Sequence, residues 1–198
     1  MIVDELAKNR KIKVISIITF CLVLLGLAGY LLWEKKQNTL SIQNADQAYS
    51  FNTKYSQPFL EEKLSYSDME KELQLLDDSY FENKNFLVEI LNLNKKFNED
   101  GKNDLIIFSG EKFLKSQIDG HLKTLLVYQL SAAYENSLQF DKMKEVLLAE
   151  VKPKLLPDYH LYLLARAYRL SKDKENEQKY TYKLTAEFPE SQWTKVLP

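Results

Sequence analysis

The sequence predicts an all-α protein, in which an N-terminal transmembrane helix is followed by a solenoid of helical hairpins. Three observations predict this class. An uncharged apolar run lies near the N-terminus, and only 5 Gly and 5 Pro occur among 198 residues. Beyond the run, helix-forming residues dominate and apolar side chains recur with helical rather than strand periodicity. The length allows one domain of ordinary size besides the membrane segment.

The predicted transmembrane helix covers residues 14–33, VISIITFCLVLLGLAGYLLW. At about 1.5 Å rise per residue, this run matches the roughly 30 Å hydrocarbon core of a bilayer. Tyr30 and Trp33 lie at its far end, where aromatic rings favour the headgroup level. The run ends without the small-residue pattern of a signal-peptidase site. We therefore expect an uncleaved signal anchor.

Basic residues predict the orientation of this anchor. The tail, residues 1–13, has four basic residues close to the membrane: Lys8, Arg10, Lys11 and Lys13. Only two, Lys35 and Lys36, lie just after the run. Because positive residues stay cytoplasmic, we expect a cytoplasmic tail and a domain on the far side of the inner (plasma) membrane, periplasmic or extracellular. A mitochondrial import receptor has the same architecture with its domain in the cytosol, and stays an alternative.

Residues 34–82 are expected to form membrane-proximal helices. Apolar residues from Leu40 to Phe51 fall near one helical face, and Pro58 interrupts the pattern. Ser67 and Glu70 have the spacing of a capping box, which predicts a helix from there to about Asp78. The sequence leaves open whether the first of these helices continues the transmembrane helix.

Residues 83–198 are expected to form the repeat domain. Strand-like composition at 105–108 has no evident partner strand, so this stretch is assigned to a helix. Six segments show helical periodicity: 83–98, 102–117, 121–137, 140–151, 157–171 and 174–187.

An internal repeat organises the last four of these segments. The motif LSAAY, which contains Leu130 and Tyr134, recurs as LARAY, with Leu164 and Tyr168, at a displacement of 34 residues. This displacement is the tetratricopeptide period, in which helix pairs stack because none buries its apolar face alone. A more degenerate unit precedes them at a displacement of 37 residues, with Gly101 in its turn.

A short tail, one anchor helix, an immediately following helix and about three degenerate repeats resemble the YfgM-like ancillary subunits of the SecYEG translocon. Glu177 departs from the tetratricopeptide pattern, because it stands where the pattern has a small residue. The resemblance implies a periplasm-facing module that associates with the export channel and with periplasmic chaperones. The ending EFPESQW, residues 187–193, is also similar to repeat ends of periplasmic proteins in outer-membrane assembly.

Composition and spacing disfavour several chemistries. The net charge of −1 comes from interleaved charges and provides no basic face for nucleic acid. His121 and His160 lack metal-ligand spacing, and the single cysteine, Cys21, lies in the apolar run. No nucleophile elbow or phosphate-binding glycine loop is evident. We expect no cofactor, no metal and no enzymatic activity.

The candidate partner-binding residues lie on the first helices of the last two repeats, on the side opposite the repeat motif. Tyrosine and arginine are favoured anchors of protein interfaces. An equal alternative is that Tyr128 and Tyr162 pack within the solenoid. The six residues are Leu125, Tyr128, Tyr159, Tyr162, Arg166 and Arg169.

The expected function is a membrane-tethered protein-interaction scaffold that assists translocated proteins or chaperones near the Sec translocon. Its partners would be translocon subunits, periplasmic chaperones or exported clients, together with the bilayer around residues 14–33. The alternative is a structural subunit of an envelope or outer-membrane assembly complex, which a mainly apolar concave surface would favour.

Overall fold

The computed structural model describes the backbone of residues 2–116, 118 and 120–196, and within these ranges the side chains from Leu25 onward. Over these residues the chain is all-helical, and neighbouring helices pack as hairpins, which confirms that part of the prediction. The chain divides into two compact units, Met1–Ala45 and Asp46–Pro198.

The first unit consists of helix α1 (Ile2–Phe51) as far as Ala45. The predicted transmembrane run covers residues 14–33, and the side chains of its first part, residues 14–24, lie outside the described residues. Within the described part of the chain, no helix is both long and apolar enough to cross a bilayer. Helix α1 has no break after the apolar run, so the first helix predicted within residues 34–82 continues the helix of that run. The large apolar side chains described here are solvent-exposed: Leu25, Leu27, Tyr30, Leu31, Leu32 and Trp33.

In the second unit, the end of α1 leads through a π-helical turn (Asn52–Ser56) into three short helices. They are α2 (Gln57–Leu60), α3 (Tyr66–Leu75) and α4 (Asp78–Phe81). The predicted capping box at Ser67 is wrong by two residues. Ser65 is the N-cap of α3, because its hydroxyl accepts a hydrogen bond from the Asp68 amide at 3.1 Å.

Three helical hairpins follow. Their helices are α5 (Lys84–Glu99) with α6 (Asn103–Leu114), α7 (His121–Asn136) with α8 (Phe140–Ala149), and α9 (Pro157–Leu170) with α10 (Lys174–Glu187). The helical assignment of the run 105–108 is confirmed, since it lies within α6. A 3-10 helix (Gln192–Lys195) closes the described chain.

The three hairpins share one turn. Gly101, Leu138 and Lys172 take the left-handed conformation, with φ of 68°, 59° and 62°. In each turn the next residue's amide donates to a carbonyl five residues earlier, at 2.7 Å, 2.8 Å and 2.9 Å. The three turn residues are 37 and 34 residues apart, which are the displacements of the sequence repeat. The same backbone turn therefore recurs with the period of the sequence.

Two hydrophobic clusters hold the second unit together. The first joins the end of α1 to α5, where Phe51 packs edge-on against Phe86 with ring centroids 4.8 Å apart, and reaches α6 and α7. The second lies among α7, α8 and α9 and contains the repeat residues Leu130, Tyr134 and Leu164. Each hairpin therefore buries its apolar face on the next, as stacking requires.

Candidate partner-binding surface

The first helices of the three hairpins, together with Ile106 of α6, line a hollow of about 290 Å³. Four of the lining residues are polar and four are apolar or aromatic, so an occupant would meet both ring faces and hydrogen-bonding groups. We call this feature the central hollow. Its lining residues are Asn94, Lys95, Asn98, Ile106, Tyr128, Gln129, Ala132 and Tyr159.

Two amides bridge α5 and α7 at the central hollow. Asn94 Nδ2 donates to Gln129 Oε1 at 3.0 Å, and Gln129 Nε2 donates to the Leu91 carbonyl at 3.1 Å. Asn94 is only 1% exposed, and its Oδ1 finds no donor among the described residues. A buried acceptor without a donor costs free energy.

Tyr128 lines the central hollow as a buried residue and is not an exposed anchor for a partner. It is 8% exposed, and its hydroxyl donates to the Leu155 carbonyl at 2.7 Å and lies 3.1 Å from that of Leu156. Burial raises its pKa, so the phenol stays a neutral donor. Leu156 has a left-handed φ of 45° directly before α9. The hydrogen bonds of the Tyr128 hydroxyl therefore stabilise a strained turn.

Tyr159 and Tyr162 lie on α9 with their rings stacked, at a centroid distance of 6.1 Å. The Tyr128 ring packs edge-on against Tyr159 at 5.2 Å. Trp193 covers the pair from the 3-10 helix, with its centroid 4.5 Å from Tyr159 and 5.0 Å from Tyr162. We call the face of Tyr159 and Tyr162 the aromatic site. It adjoins the central hollow through Tyr159.

The two arginines predicted for the site form ion pairs with different helices. Arg166 joins α9 to α7, because its Nε lies 2.9 Å and 3.0 Å from the two carboxylate oxygens of Glu135. Arg169 instead donates from Nε to Glu177 on α10 at 2.7 Å. Glu177, the residue that departs from the repeat pattern, is therefore the partner of Arg169, and both lie in the same hairpin.

Leu125 is 40% exposed and is not among the residues that line the central hollow. The structure thus brings Tyr128, Tyr159 and Tyr162 into contact, with Arg166 beside Tyr162, and leaves Leu125 and Arg169 apart. Within the described ranges, no three His, Cys, Asp or Glu side chains are grouped to hold a metal ion.

Sequence reasoning missed Asn94, Gln129 and Trp193. The first had a signal, since Asn94 interrupts an apolar helical stripe that runs through Leu91 and Phe97, and a polar residue there needs a partner. Trp193 had only a weak one, being an aromatic residue beyond the last periodic segment.

Comparisons with protein-family models, with curated proteins and with solved structures found no match for this chain.

Proposed function

We propose that this protein is a membrane-tethered scaffold that binds segments of other polypeptides through tetratricopeptide-like hairpins. The observation that carries the proposal is the central hollow, to which all three hairpins contribute side chains. A groove that crosses several hairpins suits an extended segment better than a small ligand, because each hairpin offers one set of contacts along its length.

The chemistry of the hollow supports a peptide as its occupant. Lys95 and Asn98 are exposed polar residues of the lining, and the backbone of an extended peptide carries N–H and C=O groups at regular intervals that such side chains bind. Ala132 leaves space for a side chain, and the rings of Tyr128 and Tyr159 provide apolar surface beside it. The site therefore matches both the main chain and the apolar side chains of a client.

The apolar stretch of α1 supports the tether. From Leu25 to Trp33 its large apolar side chains are exposed, and such a contiguous surface indicates contact with lipid or another apolar partner. On this proposal it forms, together with residues 14–24, the anchor expected from the sequence. On this proposal the domain lies on the exported side of the inner membrane, near the Sec translocon. Tethering raises its local concentration for clients that emerge there.

The half-polar lining of the central hollow favours exchange of clients over the structural-subunit alternative. Permanent interfaces are more apolar than transient ones, whereas Asn94, Lys95, Asn98 and Gln129 make up half of this lining.

Photo-crosslinking in intact membranes tests the proposal. A photoreactive amino acid at Ala132 lies in the hollow without replacing a packed ring, and the same residue at Tyr182, which is 73% exposed on α10, is the matched control. We expect position 132, and not 182, to capture exported proteins or chaperones. A single stoichiometric partner would favour the structural-subunit alternative, and equal labelling at both positions would contradict a binding hollow.

Cysteine labelling tests the side of the membrane. The variant carries Glu190→Cys in a Cys21→Ala background, with the new thiol at an exposed position. We expect a membrane-impermeant maleimide to label it in cells whose outer barrier is open and whose inner membrane is intact. Labelling only after the inner membrane is permeabilised would place the domain in the cytoplasm and refute the orientation.

A further inference from the structure

The chain folds back on itself after its last hairpin. Beyond α10, Ser191 Oγ donates to Asp158 Oδ2 in the first turn of α9, at 2.7 Å. The same Oγ accepts from the Trp193 amide at 3.1 Å and so caps the 3-10 helix. This helix places the Trp193 ring on the aromatic site. Part of the surface that the sequence predicts for a partner is thus covered by the chain itself.

The covering segment is held by few interactions. The 3-10 helix is only 4 residues long and none of its residues is buried. Its side-chain contacts with α9 are the partly exposed Ser191 bond to Asp158 and the packing of one indole on two phenols. The Ser191 amide also donates to the Phe188 carbonyl at the end of α10, at 3.1 Å. Short segments with few buried contacts open at a small fraction of the global unfolding free energy. The segment can therefore leave α9 while the hairpins stay folded.

We propose, on the basis of the proposed function, that the aromatic site is exchangeable: it binds an aromatic side chain of a partner polypeptide, and Trp193 is its internal competitor. The resident segment indicates the chemistry of the partner. It carries a flat ring that stacks on Tyr159 and Tyr162, and a hydroxyl two residues earlier that donates to Asp158. A partner with an aromatic residue after Ser or Thr at this spacing has the same two contacts.

Two charged side chains lie beside the aromatic site. Arg166 is paired with Glu135, and the Asp158 carboxylate accepts the hydrogen bond from Ser191. A donor to Asp158 and a ring on Tyr159 and Tyr162 are therefore the two contacts that a partner has to reproduce. Tyr159 belongs to both the aromatic site and the lining of the central hollow. A client that lies in the hollow can consequently extend its aromatic residue onto α9 once Trp193 has moved away.

The test uses the full chain in detergent and a fluorescein-labelled synthetic peptide of residues 187–198. Trp193→Ala vacates the site. If opening of the wild-type site costs as much as one stacked aromatic pair, the peptide binds this variant about tenfold more tightly than wild type. The same peptide with Ala in place of its tryptophan is expected to bind neither protein. Tyr182→Ala, far along α10, is the matched protein control and should bind as wild type does.

Two results would overturn the proposal. One is equal affinity of the peptide for wild type and for Trp193→Ala; the other is no binding to a Trp193→Ala protein that keeps its melting transition. If Trp193→Ala does not fold, Ser191→Ala decides, because it leaves the three rings in place and removes only the two hydrogen bonds of the Ser191 hydroxyl, to Asp158 and from the Trp193 amide. In a Trp33→Phe background, where Trp193 is the only tryptophan, Ser191→Ala should increase both acrylamide quenching and peptide affinity. Unchanged values would refute an exchangeable site.

The outcome can be separated from that of the proposed function. If the labelled peptide exchanges with Trp193 but position 132 captures no client in membranes, the exchangeable aromatic site is supported and the scaffold function is refuted. If clients are captured at position 132 with the same yield in wild type and Trp193→Ala, the scaffold stands and internal competition falls.

Discussion

Tyr128 offers the most direct way to separate packing from binding, because truncation and removal of its hydroxyl have different expected costs. Its hydroxyl donates to the Leu155 carbonyl at 2.7 Å, so Tyr128→Phe leaves that carbonyl without its donor. We expect a loss of about 1 kcal/mol. Tyr128→Ala also removes the ring of a residue that is only 8% exposed. A loss of about 4 kcal/mol is typical of truncating such a buried aromatic side chain.

These free energies correspond to clear shifts in melting temperature. For a folded unit of this size, each kcal/mol lowers the melting temperature by about 3 °C, which gives about 3 °C for Tyr128→Phe and about 12 °C for Tyr128→Ala. Far-UV circular dichroism of the full chain in detergent measures both, and urea titration checks the free energies. Tyr182→Ala, at a 73% exposed tyrosine, is the control and should change stability by less than about 0.5 kcal/mol.

The reasoning would be refuted if Tyr128→Ala melted like Tyr182→Ala. The ring would then contribute nothing to folding, and the strained turn at Leu156 would not need its hydroxyl. A large loss of stability with unchanged crosslinking from position 132 would assign Tyr128 to packing alone.

Three further predictions concern charge. A double-mutant cycle on Glu135→Gln and Arg166→Gln should give a coupling of about 1 kcal/mol that weakens with salt, because the pair is partly exposed. Burial lowers the pKa of His160 below 6.5, so below this pH the unfolded chain binds a proton more readily than the folded chain does. The melting temperature should therefore fall as pH drops below 6.5, and it should fall less in His160→Gln. Burial and a hydrogen bond to Asp100 raise the pKa of Tyr66 from 10.0 to about 12; its contribution is complete below pH 10 and is lost as pH rises towards 12, so Tyr66→Phe should flatten the alkaline loss of stability.

Each of these has a simple contrary outcome. Additive losses in the cycle would mean that the Arg166 contact contributes no coupling. An acid dependence of melting that is identical in His160→Gln would assign it to carboxylates instead. A steep alkaline limb that persists in Tyr66→Phe would move its origin to other buried phenols, of which Tyr134 is one whose pKa is also raised by burial.

The sequence was sufficient for the helices because their signals are local. Apolar periodicity placed α7 within a residue of its ends, as His121–Asn136 against the predicted 121–137. The start of α3 was misplaced because two overlapping patterns compete there. Ser65 with Asp68 and Ser67 with Glu70 have the same spacing, and only the backbone decides that Ser65 is outside the helix.

The candidate site was less predictable because it depends on contacts between distant residues. Helical periodicity puts Arg166 and Arg169 on nearly the same side of α9, three residues apart, and it cannot tell which carboxylate each one meets. Glu135 lies 31 residues from Arg166, whereas Glu177 lies 8 residues from Arg169 across a hairpin turn. Trp193 follows the last periodic segment, and only the folded chain brings it to α9.

The common turn of the three hairpins also has a kinetic consequence. Each turn closes through a hydrogen bond between residues 5 apart, such as Gln139 N to Tyr134 O, so a hairpin can form before its neighbours exist. Chains dominated by such local contacts fold in microseconds to milliseconds. Leu138 and Lys172 take a conformation that favours glycine, whereas the first turn has Gly101. The α5–α6 turn is therefore the one of the three that adopts this conformation without the steric cost of a side chain.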